Sequence, residues 1–167
     1  KSMGIFAMPP MRYKKDEITD IAGMEAVIRE TRYATLAIAT PDGFPYAVPI
    51  GFGYERGAFY CHGSKAGFKQ LILSSNPRAC VNLHAGDELV PGVPSSQYNT
   101  RYRSVTAFGK IETISDRAAM NHGLATMMAH YKGPHEDIDD SYFVRTWVGK
   151  LIVEKMTGKQ AGGAAYY

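Results

Sequence analysis

The chain has 167 residues, of which 45% are hydrophobic and 21% charged, and its formal net charge is +3. This length fits one compact domain that can bury a core without metal or disulfide staples. The small, scattered positive charge argues against a nucleic-acid-binding protein, which would concentrate its lysines and arginines on one face. Cys61 and Cys80 each lie in an apolar run. We therefore expect two reduced core thiols in a cytoplasmic protein.

The ends of the chain carry little sign of targeting. No run of consecutive apolar residues approaches the ~18 that a membrane span needs. The amino terminus also lacks the apolar region of a signal peptide. We predict a single domain over residues 11–159 and an N-terminal extension over residues 1–10. Lys1 and Ser2, which precede Met3, are interpreted as a tag remnant, and residues 160–167 as a loose tail.

The first half of the chain predicts one helix and three strands. The helix starts at Thr19 or Asp20, a capping residue followed by apolar positions at helical spacing. Small apolar residues over 33–40 predict a strand buried on both faces. An Asp-Gly turn at 42–43 leads into a strand over 46–55. Within it Pro49 lacks a backbone donor and requires an edge or a bulge. A third strand covers residues 57–62.

The second half adds two helices and three strands. Ser64 is predicted to cap a helix over 64–77 that Asn76 and Pro77 end. A strand over 78–85 and a long loop over 86–99 follow. The next strand, 100–114, should bend or bulge at Gly109. A helix over 115–131 begins with the capping Ser115. Residues 135–140 are predicted to form an acidic surface turn, and residues 142–159 contain the last strand.

The order of these elements favours a mainly β fold with helices (α+β). Helices and strands do not alternate, which excludes a doubly wound parallel sheet. About six strands joined by hairpins, with three helices, predict a small antiparallel barrel with the helices packed outside.

The stretch "YCHGSKAGFKQ", residues 60–70, leaves an apolar strand and enters a helix through small residues and two lysines. A helix amino terminus offers free backbone donors, so a phosphate could bind there. Lys65 and Lys69, four residues apart, would share one helix face and reach the same anion. The alternative is an ordinary capped helix with two solvated lysines. The residues alone leave both readings open.

The histidines and cysteines of this chain are side chains that could act in catalysis or bind a metal. His62 ends a strand and could act as acid, base or hydrogen-bond donor, although a surface role is equally compatible with its position. Cys61, His62, Cys80 and His84 have no zinc spacing, and no metal site is predicted. His122 and His130, eight apart, share a helix face without an obvious carboxylate partner. Haem bound by one of these histidines stays open.

Four segments in order carry a family likeness: "DGFPYAVPIGFGYE", "FYCHGSKAGFKQLILSSNPRACV", "YRSVTAFGKIE" and "KLIVEKMTGK". With them the chain resembles the FMN-binding split-barrel proteins of the pyridoxamine 5′-phosphate oxidase superfamily. Within that superfamily it looks closest to the branch of 5-nitroimidazole-resistance reductases. The resemblance implies an antiparallel split β-barrel, and a homodimer with FMN at the subunit interface.

The resemblance also implies a set of site residues. The strand over 47–52 would run along the flavin ring, and the turn "HGSKAGFK", residues 62–69, would hold the phosphate with Lys65 and Lys69. Ser104 would lie near the cofactor, and His62 would be the catalytic group beside the flavin. The predicted cofactor-binding residues are Val48, Pro49, Ile50, Cys61, His62, Ser64, Lys65, Lys69 and Ser104.

Two departures from the oxidases point away from vitamin B6 oxidation. Val48 and Gly53 stand where those enzymes carry a basic pair for the phosphate, and no arginine-rich substrate segment ends this chain. We therefore expect an FMN-dependent oxidoreductase that acts on a small electron-poor organic compound. The alternative is a dimer that binds flavin or haem without turnover. Neither nucleic acid nor membrane is an expected partner.

Overall fold

The computed structural model describes residues 8–162, so residues 1–7 of the predicted extension and 163–167 of the predicted tail lie outside it. Within that range the chain forms eight strands, four α-helices and two short 3-10 turns. In chain order the strands and helices are β1 (Glu17–Ile18), α1 (Ile21–Glu30), β2 (Ala34–Ala39), β3 (Pro45–Ile50), β4 (Gly53–Glu55), β5 (Ala58–Ser64), α2 (Phe68–Ser75), β6 (Arg78–Val90), β7 (Asn99–Ile114), α3 (Arg117–His130), α4 (Asp140–Arg145) and β8 (Thr146–Ala161).

The strands pair antiparallel in the order β3-β2-β6-β7-β8-β5-β4, with β1 added to β8. Strands β3 and β4 lie at opposite ends of this order, yet only Gly51 and Phe52 separate them in the chain. The sheet must therefore curl round until its ends approach each other. Because the pairing path stays open, the barrel is split. This confirms the predicted fold class, with eight strands rather than six.

Two apolar clusters stabilise the fold. The larger fills the barrel and includes Phe52, Phe59 and Leu151, all essentially inaccessible to solvent, together with the apolar face of α1. The smaller lies between α3 and the outer side of β5 and β8, and is centred on Tyr60, Met120 and Val148. Side chains alternate across a strand, so β5 serves both clusters. Its odd-numbered residues face the barrel and its even-numbered residues face α3.

Several strand predictions need correction. The strand predicted over 46–55 is interrupted at Gly51 and Phe52, where the chain crosses from one end of the sheet to the other. The loop predicted over 86–99 is shortened to residues 91–98, because β6 and β7 resume pairing at Glu88 after a bulge. Strand β2 is not buried on both faces, since Thr35 is exposed. The predicted bulge at Gly109 is confirmed by a register shift between β7 and β8.

The helix starts also differ from prediction. Ser64 is the last residue of β5, and α2 begins at Phe68 after Gly67, whose φ of 121° favours glycine. Asp116, not Ser115, caps α3 by accepting from the Ala119 amide. The acidic turn runs into the unpredicted helix α4. No helix within residues 8–162 is long and apolar enough to cross a membrane.

Candidate functional site

The split in the barrel lies between β3, at one end of the pairing order, and the β4–β5 hairpin at the other end, with which β3 does not pair. At one end of the split, the rings of Tyr46 on β3 and Phe68 on α2 meet edge to face, with their centroids 5.1 Å apart. At the other end Gly51 and His62 line a common cavity. The open edge of β3 between these two points faces β5 and the start of α2. We call the space along this open edge the groove; of the residues predicted for the cofactor, only His62 lines the cavity at its end.

His62 lies on the outer face of β5, opposite Val148 of β8 and beyond the end of the α3 cluster. It opens onto a cavity of about 550 Å³, hereafter the His62 cavity. One wall is the carboxyl-terminal part of α3, with Met127, Met128 and the following Tyr131. The other wall is residues 134–139 and the outer side of α4, including Tyr142 and Arg145. A cavity of this size suits a small organic molecule.

The environment of His62 favours its neutral form. Burial by the surrounding protein atoms lowers the pKa of the imidazole below its usual value, although the ring also reaches solvent through the cavity. The Lys69 ammonium lowers this pKa further. A neutral imidazole can donate a hydrogen bond from one ring nitrogen and accept one at the other. His62 is therefore equipped to hold or exchange a proton with a bound molecule.

Lys65 and Lys69 do not share a helix face, contrary to prediction, because Lys65 precedes α2. The Lys69 ammonium lies 5.0 Å from the centre of the Trp147 ring and close enough to His62 to affect its pKa. The Lys65 ammonium points the other way and donates to the carbonyl of Phe143 in α4 at 3.0 Å. One lysine thus lies on the Gly63 and Trp147 face of β5, near enough to His62 to act on its pKa, and the other contacts α4.

The remaining predicted residues of the groove differ in accessibility. Pro49 is exposed on β3, an edge strand as its missing backbone donor requires, and Val48 is half-buried beside it. Ile50 and Cys61 belong to the barrel core, so their side chains face away from the groove. Burial raises the pKa of the Cys61 thiol to about 11, which keeps it protonated and unreactive. Only the backbone of these two residues can line the groove.

The other predicted polar groups have distinct positions. The Ser64 hydroxyl accepts from the Ala66 amide at 3.1 Å and shapes the turn rather than capping α2. Ser104 lies on β7, paired with His84 and Lys159, on the outer face of the sheet. It lines a different cavity from His62. Within one chain the structure does not bring Ser104 to the His62 groove.

The two histidines of α3 are engaged elsewhere. The Nε2 atom of His122 lies 2.8 Å from a carboxylate oxygen of Glu55, the partner that the sequence did not reveal. His130 Nε2 lies 2.7 Å from the Thr31 carbonyl oxygen. Neither residue lines the His62 cavity. Within residues 8–162 no group of three or more histidine, cysteine, aspartate or glutamate side chains could hold a metal ion.

Sequence reasoning missed the wall formed by α4. Asp139 caps this helix by accepting from the Tyr142 amide at 2.7 Å, and Arg145 ends it. A capping aspartate followed by a basic residue in the last turn is a helix signal that could have been read. Arg117 of α3 stabilises the segment at the start of α4 by forming an ion pair with Asp140 and donating a hydrogen bond to the Ile138 carbonyl. The acidic turn is thus an ordered segment that lines the His62 cavity.

The structure also explains one departure from the oxidases. A Cβ on Gly53 would lie 2.5 Å from the backbone nitrogen of Met127 in α3. No side chain, and hence no lysine, fits at this position. The basic group expected there by analogy with the oxidases is therefore sterically excluded.

Comparisons with known proteins agree with this geometry. The sequence model of the pyridoxamine 5′-phosphate oxidase family matches residues 20–160. A candidate 5-nitroimidazole antibiotic resistance protein from Bacteroides thetaiotaomicron is 31% identical, with a TM-score of 0.78 over 86% of each chain. An FAD- and haem-binding protein from Mycobacterium smegmatis is 25% identical, with a TM-score of 0.79 over 89% of this chain and 74% of that one. No curated protein sequence matches significantly.

A further structure shares the fold alone. A flavocytochrome from Azotobacter vinelandii is 24% identical, with a TM-score of 0.78 over 92% of this chain and 72% of that one. Taken with the open barrel, the matches define a split-barrel fold. The chain belongs to the pyridoxamine 5′-phosphate oxidase family.

Proposed function

We propose that this protein is an FMN-dependent oxidoreductase that acts on small electron-poor organic compounds, such as nitroimidazoles. The observation that carries the proposal is the His62 cavity at the end of the split, beside the cationic Lys69. The similarity to a candidate nitroimidazole resistance protein supports this substrate class. Because Gly53 excludes a basic side chain, the proposal does not extend to vitamin B6 oxidation.

The residues of the groove fit a flavin. The open edge of β3 offers backbone groups that β2 does not use, with Pro49 exposed and the Val48 side chain packed against the barrel core. The turn at 64–69 supplies two separate candidates for the phosphate end, the Lys69 ammonium over Trp147 and the Lys65 ammonium beside α4. When bound, FMN would supply the redox chemistry, and the protein would orient the reactants and exclude water.

His62 is proposed as the catalytic residue. Its ring borders the cavity in which the substrate would lie, and its lowered pKa favours the neutral imidazole, which takes up a proton as the pH falls. Tyr142, Met127 and Met128 would pack against an aromatic substrate. Arg145 lies over the Tyr142 ring at 5.8 Å and provides a positive charge at the cavity wall.

The functional unit is proposed to be a homodimer with the cofactor between its subunits. Ser104 lies on the outer sheet face, away from the His62 groove of its own chain. It could contribute to a cofactor site only where the outer face of a second subunit covers the groove. A twofold dimer would supply two such composite sites.

A second candidate function is a dimer that binds flavin or haem without turnover. The similarity to an FAD- and haem-binding protein favours this alternative, as does the loss of the basic pair at Val48 and Gly53. Haemin added to the purified protein would then give a shifted Soret band, and the FMN-loaded protein would not oxidise NAD(P)H.

Turnover distinguishes the two candidates. The FMN-loaded protein should consume a reduced nicotinamide and reduce a nitroimidazole, with the nitro absorbance followed at substrate excess. Free FMN at the same concentration serves as the control. A rate no higher than that of free FMN, despite full binding, would overturn the enzymatic proposal.

A further inference from the structure

A second cavity, of about 390 Å³, lies on the far side of α4 from His62. Its walls are α2, the end of β7 and the start of β8, and we call it the Gln70 cavity. Phe143 of α4 lines this cavity, whereas Tyr142 and Arg145 line the His62 cavity. Helix α4 is thus a partition between the two spaces.

Several polar groups of the Gln70 cavity can donate hydrogen bonds, although the Ser74 hydroxyl already donates to the Leu71 carbonyl. The Lys65 ammonium uses one of its three N–H groups on the Phe143 carbonyl, which leaves two. The Thr113 hydroxyl accepts from Trp147 Nε1 at 2.9 Å, so its own hydrogen remains available. Ser115 adds an exposed hydroxyl at the rim.

Gln70 provides an independent sign of an absent acceptor. Its side-chain nitrogen is enclosed and has no hydrogen-bond partner within residues 8–162. An enclosed donor without a partner is unfavourable by about 1–3 kcal/mol. The terminal amide torsion is soft, so a small rotation can present the NH₂ group to the cavity.

No acidic side chain from the described part of the chain lines this cavity. Two acids adjoin lining residues in sequence, Glu112 before Thr113 and Asp116 after Ser115. The Asp116 carboxylate caps α3, where it accepts from the Ala119 amide at 2.9 Å. A cavity with an ammonium, an unpaired amide and a free hydroxyl, and without a carboxylate, is chemically complementary to an oxyanion.

We propose that the Gln70 cavity is an oxyanion site of the phosphate class, with Lys65, Gln70 and Thr113 as its donors. The ligand is either the phosphate end of FMN, in which case the inference rests on the proposed function, or a free phosphate. Lys65 lines this site and also contacts α4. Its backbone amide donates to the Arg145 carbonyl, and its ammonium donates to the Phe143 carbonyl. Occupancy therefore steadies the wall of the His62 cavity.

The test uses flavin-free protein titrated with inorganic phosphate, with binding followed by calorimetry and thermal unfolding. Phosphate should raise the melting temperature of the wild type. Gln70→Leu and Lys65→Met should each weaken phosphate binding about tenfold, the loss expected for one hydrogen bond to a charged group. Gln70→Leu should not lower stability, because it removes an unpaired donor. Lys14→Met, at the far end of β8, is the control.

A second arm identifies the source of the phosphate by comparing FMN with riboflavin. A preference for FMN that Gln70→Leu abolishes assigns the site to the flavin phosphate. Phosphate binding that persists beside bound FMN assigns it to a free oxyanion. Both results support the site. The inference is overturned if phosphate does not bind, or if neither variant changes phosphate affinity or FMN preference. Phosphate binding without any flavin binding would instead defeat only the proposed function.

Discussion

The ammonium of Lys69 lies directly over the backbone of Gly63, 2.9 Å from the point that a Cβ on this glycine would occupy. The absence of a side chain at position 63 therefore lets the lysine fold back onto β5. From there its charge acts on His62 and Cys61, the two preceding residues of the strand. Trp147 completes the arrangement by presenting its ring to the ammonium at 5.0 Å.

Removing the Lys69 charge should change the titration of His62. In Lys69→Met the pKa of His62 should rise toward its usual value, because one of the two causes of its lowering is gone and only burial remains. The measurement is an NMR titration of the imidazole resonances. Lys14→Met, in the short turn before β1, is the control and should leave this pKa in place. An unchanged pKa in Lys69→Met would disprove the electrostatic link.

His62 itself should be needed for turnover but not for flavin binding. His62→Gln should lower kcat by ~10²-fold, the lower range for loss of a general acid. The rise of kcat toward acidic pH that we expect for the wild type should also be absent in this variant. In the wild type the protonated fraction of His62 grows as the pH falls through its lowered pKa, so a proton-dependent rate should rise toward acid. His122→Gln, which alters a histidine paired with Glu55, should retain both rate and profile.

Tyr131 should stabilise the bend between β3 and β4. Its hydroxyl accepts from the buried Phe52 amide at 3.0 Å and donates to the Arg32 carbonyl at 2.7 Å. Tyr131→Phe leaves the Phe52 amide without a partner and should lower the free energy of unfolding by about 1–3 kcal/mol. Denaturant unfolding measures this loss. Tyr98→Phe, at an exposed tyrosine of the loop before β7, should cost much less.

A composite site between subunits should allow complementation. His62→Gln damages one half of the proposed site, and Ser104→Trp blocks the other. Each variant alone should be inactive, whereas an exchanged equal mixture should regain about a quarter of wild-type activity, because half of its dimers carry one intact site. Subunit exchange is verified by mass spectrometry. A mixture that exchanges but stays inactive would refute a shared site.

Much of the architecture was predictable from local patterns. The Asp20 cap, the Asp-Gly hairpin and the Gly109 bulge are local features, and each was found where expected. The predicted strand boundaries were wrong where contacts between residues far apart in the sequence determine the structure. The interruption at Gly51 and Phe52 reflects the closure of the barrel, and the extension of β6 to Val90 depends on its partner strand β7. Neither signal is present in a short window of sequence.

The candidate site shows the same division. The turn after β5 and the position of His62 followed from the sequence and its family resemblance. The separation of Lys65 from Lys69 did not, because it depends on α2 starting at Phe68 rather than at Ser64. The α4 wall was missed because a six-residue helix carries too little periodicity to stand out from a turn.

The central claim, that the groove beside His62 and Lys69 binds FMN, is most directly tested by flavin absorbance. Purified protein is titrated into FMN, with Lys69→Met and Lys14→Met in parallel. Saturable perturbation of the flavin bands in the wild type and in Lys14→Met, weakened in Lys69→Met, is the predicted result. Flavin bands that stay those of free FMN at high protein concentration would contradict the claim.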